Sequence, residues 1–316
     1  MRVLEERRIP VGELGAFASA PRAAAVSFRG SALDVRATSD EALRDYDVVF
    51  FAGGEDASER YAPPLLERGC VVIDNSSTFR MRDGVPLIVP EVNAEAIKAE
   101  DRLFPVANCT AIILCTALAP IRNAAGLKAV RVATYQAASG AGRAGLDELQ
   151  AGERAAVLGE NEPEPRAFPR PIARNAVPQV GPLDSGGFTG EERKICAETR
   201  KMLGLPELRV SAIAVRVPVR HAHSAAVFVE TERATDAATL ADELRRAAGV
   251  VFHGDGIVTP RDVEGDDRVH VARLRSESAT GNEFALWCTG DQLRKGAATN
   301  AVQILELLLA RGFVGA

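Results

Sequence analysis

The sequence predicts an α/β protein with a doubly wound parallel sheet, and three observations carry that expectation. Residues 46–52, with their continuous Val-Val-Phe-Phe run, and 70–74, Cys-Val-Val-Ile-Asp, read as strands buried on both faces. A helical pattern follows the first of them over 58–68, and strands alternating with helices favour parallel pairing. Small polar residues, Gly53-Gly54 and Asn75-Ser76-Ser77, close the two runs at the carboxyl ends, where ligands of such sheets bind.

Taken in order, residues 2–8 read as the end of a helix stopped by Pro10, and 14–19 as a short strand. Residues 25–36 read as a hairpin turning through Arg29-Gly30-Ser31. An apolar run over 103–106 stops at Ala107-Asn108, and a helical apolar pattern starts at Cys109. A strand over 129–135, a helix over 146–158 and an aperiodic, proline-rich loop over 161–187 follow. Residues 189–203 form a helix with Thr189 as N-cap and acids in its first turn. Strands over 210–219 and 224–230, an amphipathic helix over 236–248, strands over 269–275 and 283–288 and a last helix over 291–311 complete the chain.

The length of 316 residues allows two domains. A net charge of −5 argues against nucleic acid as a partner, because no basic excess neutralises phosphates. No apolar run reaches about 18 residues, so no membrane span is expected. Five cysteines, at 70, 109, 115, 196 and 288, form no C-x-x-C pair and suit a reducing cytoplasm. The charged, helix-like start differs from a signal peptide.

Four features carry possible chemistry. Cys109 falls at the first turn of a helix, where free N–H groups and the helix dipole favour a thiolate; the alternative is a small buried hydrophobe. His221 and His223 lie two apart in an extended stretch and so on one side, where they could share a metal lacking an evident third ligand. A His there can also shuttle a proton to a thiolate. Of the charged residues Arg80, Glu191, Lys194 and Arg216, the last sits in an apolar run, where a guanidinium needs a carboxylate or phosphate. Glu191 and Lys194 share a helix face, as a surface ion pair or as a reader of an amino acid's two ends. Ser139-Gly140-Ala141-Gly142, between a strand and a helix, lets backbone amides approach an anion.

Together these motifs resemble the aspartate-β-semialdehyde dehydrogenase family over nearly the whole chain. Asn108-Cys109-Thr110 is similar to the family's nucleophile motif, and Tyr135 to Gly142 to the segment whose Gln, here Gln136, orients substrate. Arg216-Val-Pro-Val followed by His223-Ser224 resembles the family's carboxylate-binding Arg and acid/base His. Glu191-Glu-Arg-Lys194 and Asp74 to Met81 match two further motifs. By resemblance these assign Glu191 to the substrate amino group, Arg80 and Lys194 to phosphate, and Asn108 to the substrate site. The resemblance also implies cofactor contacts at Ser19, Arg22, Gly53, Gly54, Ser139, Gly140, Ala141, Gly142 and Asn300, and no metal.

The resemblance implies a cofactor domain over 1–108 plus 291–316 and a catalytic, dimerising α+β domain over 109–290. The family's first strand and Gly-rich phosphate loop have no match here, so the Rossmann-like domain is expected to be incomplete. The implied reaction is the NADPH-dependent conversion of L-aspartyl 4-phosphate to aspartate 4-semialdehyde and inorganic phosphate through a Cys109 thioester. His223 is expected to take the Cys109 proton. That step serves lysine, threonine, methionine and diaminopimelate biosynthesis, in a cytoplasmic homodimer. Departures at Ala18-Ser-Ala-Pro-Arg22 bear on NADP against NAD, and Ala222 stands where Gly is usual. A cofactor-impaired, non-catalytic paralogue and a related N-acyl-glutamyl-phosphate reductase are the alternatives. The intact Cys109, Gln136, Arg216 and His223 oppose the first, and the Tyr135–Gly142 and Glu191–Lys194 matches oppose the second.

Overall fold

The computed structural model describes residues 1–20 and 22–315, with residues 22–25 described by their backbone alone. The chain divides into two compact units, Met1–Ala107 with Ala297–Ala316, and Asn108–Gly296.

The first unit opens with α1 (Arg2–Glu6), β1 (Ala16–Ala18), β2 (Arg22–Phe28) and β3 (Ser31–Ala37). β2 and β3 form the expected hairpin. Arg29 and Gly30 turn it with φ of 50° and 78°, the paired left-handed conformation whose twist suits a hairpin. β1 joins β3 in parallel, giving the order β1-β3-β2. Then come β4 (Val48–Phe51), α2 (Glu55–Glu67), β5 (Val71–Asp74), α3 (Pro90–Asn93) and β6 (Leu103–Pro105). β4, β5 and β6 make a parallel three-stranded sheet in that order. Its middle strand is buried throughout, with Val71, Val72 and Ile73 apolar and Asp74 closing it. The all-parallel part of the unit is therefore this sheet, and the hairpin with β1 stands as a second, mixed one. The C-terminal helix Thr299–Ala310 belongs here: Asn300 donates its amide to the Ile88 carbonyl at 3.0 Å, and Arg7 pairs with Glu306 at 2.6 Å.

The second unit begins with α4 (Cys109–Ala125), β7 (Ala129–Gln136), α5 (Gly142–Leu158), α6 (Gly190–Leu203), β8 (Arg209–Arg216) and β9 (His223–Glu230). It continues through α7 (Ala237–Arg246), β10 (Val250–Phe252), α8 (Pro260–Val263), β11 (Val269–Ser276) and β12 (Glu283–Gly290). The mixed sheet runs β10-β11-β12-β9-β7-β8. Every residue of α4 from Thr110 to Ile121 is buried, which explains a helix that is apolar all round. It packs on α6, α7, β11 and β12. The opposite face of the sheet is open at Tyr135, Ile213 and Phe228; Ile213 stands opposite Ala133 and Phe228 opposite Arg131.

Several boundaries differ from expectation. The helix expected over 291–311 starts with a π-helical turn, Arg294–Ala298, before Thr299–Ala310. The strand expected over 210–219 ends at Arg216, ahead of Pro218, which has no N–H for a ladder. The proline-rich loop is ordered by backbone bonds between Val177 and Arg216 at 2.9 and 2.8 Å and by Glu148, which accepts the Arg166 and Ala167 N–H groups.

Candidate active site

The nucleophile candidate occupies a capped helix start. Asn108 is the N-cap of α4, its Oδ1 accepting the N–H groups of Thr110 and Ala111 at 3.0 and 3.1 Å. Cys109 is thus the first residue of a 17-residue helix, at the positive end of its dipole, and half-buried. Burial pushes the thiols of Cys70, Cys115 and Cys288 up to about 11, 12 and 12, the environment of inert cysteines. Gly296, in the π-helical turn, passes so close that a Cβ on it would lie 2.8 Å from the Cβ of Cys109. A glycine is required there by the approach itself.

Glu191, in the first turn of α6, gathers the next residues. It accepts both donor contacts of the Asn108 amide (3.1 and 3.0 Å), the Gln136 amide (3.0 Å) and the Thr110 hydroxyl (3.3 Å). Gln136 comes from the end of β7, on its buried face. α6 holds this register through a capping box between Thr189 and Glu192. The second oxygen of Glu192 accepts the Ala214 N–H of β8 at 3.0 Å.

Arg216 ends β8, buried, and donates Nη1 to the Ala137 carbonyl at 2.7 Å. Its guanidinium lies 5.6 Å over the Phe168 ring from the proline-rich loop. Burial lowers its pKa, while the charges of Glu191 and Cys109 act in the opposite sense. The cation thus feels both groups.

His223 begins β9 and is buried. Its Nδ1 accepts the Ala137 N–H at 3.1 Å. A backbone amide only donates, so the neutral ring carries its proton on Nε2. That atom has no hydrogen-bond partner. A Cβ on Gly140 would stand 3.1 Å from it and 2.6 Å from Arg216 Nη1, so glycine backs both side chains. Burial, then Arg216, lowers the ring's pKa to about 3, against a backbone bond with Ala222. In this tautomer the ring is a donor, which suits the acid half of the expected acid/base role. The base half requires a proton at Nδ1, where the Ala137 N–H already points.

His221 and His223 do not share a face. Ala222, between them, has φ of 67° and breaks the extended alternation. His221 instead lies 3.8 Å from Glu264. Among the described residues, no group of three or more His, Cys, Asp and Glu is placed to hold a metal.

Lys194 is exposed on α6. Ser139, Gly140 and Ala141 lie in a short 3-10 turn leading into α5 at Gly142, whose φ is 70°. In the first unit, Arg80 is half-buried and donates to the Asn75 carbonyl at 3.0 Å. Gly53 and Gly54 follow β4 at its carboxyl end, and Ser19 is exposed after β1. The side chain of Arg22 lies outside the described residues. Gly54 has φ of 100° with nothing within 4 Å of a Cβ placed on it, an open backbone approach that fits part of a dinucleotide. Glu55 and Asp56 in the first turn of α2 favour a hydroxyl-bearing ribose over a phosphate there.

Sequence reasoning missed Glu198, Gln292 and Gly296. Gln292 accepts the Ala222 N–H at 2.8 Å and donates to the Ser139 hydroxyl, tying the turn before His223 to the small-residue turn. Glu198 accepts the Asn108 N–H at 2.5 Å. Only Gly296 left a signal, a glycine inside a helical pattern.

Residues 1–100 match the family model described as semialdehyde dehydrogenase, NAD binding domain, and residues 118–295 match semialdehyde dehydrogenase, dimerisation domain. The chain is 39% identical to an aspartate-semialdehyde dehydrogenase of Aquifex aeolicus over 322 residues, covering 99% of this chain and 95% of the relative. It is 41% identical to aspartate-semialdehyde dehydrogenase 2 of Vibrio cholerae, covering 98% and 93%. A crystal structure of aspartate semialdehyde dehydrogenase II of Vibrio cholerae, complexed with ASA, superposes with a TM-score of 0.91 at 38% identity, covering 99% of this chain and 94% of that one.

Proposed function

The chain belongs to the aspartate-semialdehyde dehydrogenase family, and on that premise we propose that Cys109 forms the thioester by which L-aspartyl 4-phosphate is converted to aspartate 4-semialdehyde. The observation that supports this most is the arrangement of Cys109 at the start of α4, between Asn108 and Thr110, which both donate to Glu191, the carboxylate that also accepts the Gln136 amide.

The Cys109 thiolate attacks the acyl carbon, the bond to the phosphate oxygen breaks, and inorganic phosphate leaves. NADP(H), when bound, supplies the hydride that reduces the thioester carbon. In the first unit, Gly53, Gly54, Ser19 and Arg22 would hold that cofactor, with Asn300 supporting them from the C-terminal helix; the family motif assigns the Ser139–Gly142 turn to cofactor contact as well. The Nε2–H of His223 donates to the substrate oxygen where negative charge develops, and the burial of the imidazole strengthens that bond. Collapse of the thiohemiacetal frees the aldehyde and returns the sulfur to Cys109. Arg216 receives the substrate's α-carboxylate, to which a guanidinium offers a planar fork. Glu191 receives the ammonium, exchanging the amide donors of Asn108 and Gln136 for a cation. Gln136 orients the acyl group, and Arg80 and Lys194 neutralise phosphate.

The protein acts as a cytoplasmic homodimer in amino-acid biosynthesis. Five free cysteines and the family's dimerisation domain support that reading. Among the described residues no helix is long and apolar enough to cross a membrane. The test is phosphate-dependent reduction of NADP by aspartate semialdehyde: activity in the wild type that disappears in Cys109→Ala is expected, and activity retained by Cys109→Ala overturns the proposal.

A further inference from the structure

We propose that Glu198 is a positioning residue for Cys109, its buried carboxyl holding the backbone of Asn108 and so setting where the nucleophile stands. The inference rests on the reading of Cys109 as nucleophile.

Glu198 lies on α6 and is 1% exposed. Its Oε2 accepts the Asn108 N–H at 2.5 Å, across 90 residues of sequence. A carboxyl group is costly to bury, and a leucine would fill the same helical position without that cost. Its presence therefore calls for a use that packing does not supply.

Asn108 shows that use, because each of its polar groups is held. Its carbonyl accepts the Ile112 N–H at 2.9 Å, its Oδ1 the two N–H groups of the first turn, and its amide goes to Glu191. The remaining group, the backbone N–H, goes to Glu198. Glu191 and Glu198 are seven residues apart, two turns along one face of α6. The helix thus grips the residue before Cys109 twice, once by its side chain and once by its backbone.

The two grips differ chemically. Glu191 holds amide and hydroxyl donors that a substrate ammonium can replace. Glu198 holds a backbone group that no substrate displaces. While Glu191 changes partners, the Glu198 bond keeps Asn108 at φ −55° and ψ 136°, and Cys109 stays aligned with the helix axis. Burial, and after it the Glu198 charge, raises the thiol of Cys115, nearly two turns further into α4.

The experiment separates reach from charge. E198Q keeps an acceptor at the same reach, whereas E198D keeps the charge and withdraws it by one methylene. Measured are kcat and KM for aspartate semialdehyde and phosphate, the pH profile of Cys109 alkylation by iodoacetamide read on the Cys109 peptide, and thermal melting. E198Q is expected to stay close to wild type in each. E198D is expected to lose kcat on the order of 10²-fold, as a displaced nucleophile does, with KM little changed and the alkylation midpoint moved to higher pH. E198D matching wild type in both readouts overturns the proposal, as does E198Q impaired to the level of E198D. An inactive wild type with an ordinary Cys109 alkylation profile would count against the reaction, and the alkylation profiles of the two variants would still decide the role of Glu198.

Discussion

Ala137 donates its backbone N–H to Nδ1 of His223 at 3.1 Å, and the same residue's carbonyl accepts Arg216 Nη1 at 2.7 Å. One peptide segment after β7 therefore sets both the tautomer of the imidazole and the seat of the guanidinium. Burial and that guanidinium hold His223 neutral, with its pKa at about 3. In ¹⁵N-labelled protein, the His223 ring is expected to keep its Nε2–H signature from pH 8 down to pH 5, while a ring titrating near 6.5 contradicts the assignment. The sign for stability follows from proton binding. Between about 3 and 6.5 the unfolded chain binds a proton at this position that the folded chain excludes. The contribution is complete above about pH 6.5 and is lost as pH falls toward 3. Melting temperature against pH should therefore fall less steeply in His223→Asn than in the wild type over that window.

Two glycines are required by neighbours. Gly296 has no left-handed φ, so its backbone accepts alanine, yet the added methyl meets Cys109. Gly296→Ala is expected to destabilise by about 1–3 kcal/mol and to lower kcat, and Gly140→Ala to do the same through Arg216 and His223. Gly190→Ala, where nothing lies within 4 Å of the added Cβ, is the control and should behave as wild type. Steady-state kinetics with thermal melting compares the three.

Asn108 is both cap and donor. Asn108→Ser keeps a cap acceptor, whereas Asn108→Ala loses it at about 1 kcal/mol. Asn108→Asp keeps the cap but sets a carboxylate where an amide now lies 3.1 Å from Glu191. It should melt lower than Asn108→Ser and show less activity, by the repulsion of like charges. Equal melting of the Asp and Ser variants would show that the Glu191 contact does not matter.

The family's dimerisation domain spans this sheet, and its open face at Tyr135, Ile213 and Phe228 is expected to meet the second copy of the chain. Ile213 is 55% exposed and Phe228 43%. Ile213→Glu and Phe228→Arg should shift the protein from dimer to monomer in light scattering, because a charge buried at an interface core is left unpaired. A dimer unchanged by both substitutions places the interface elsewhere.

Much of the framework was legible in the sequence because it is local. The strand runs at β4 and β5, the apolar start of α4, the Thr189 capping box and the Arg29-Gly30 turn each declare themselves within a few residues. Short elements did not. α3, β10 and α8 span three or four residues each, too few for a period to show. The π-helical turn at Arg294 was also invisible, since its composition reads as helix.

The residue types at Cys109, Gln136, Glu191, Arg216 and His223, and their motifs, were written in the sequence alone, as was the family they resemble. Tertiary structure decided what surrounds them. The tautomer of His223 depends on the Ala137 amide 86 positions away, and the seat of Cys109 on Glu198 and on the bare Cα of Gly296. Such contacts join residues distant in the chain through single hydrogen bonds or a missing methyl, and neither leaves a periodic trace. For the same reason a pair such as His221 and His223, adjacent by alternation on paper, is parted by one left-handed residue that only the folded backbone reveals.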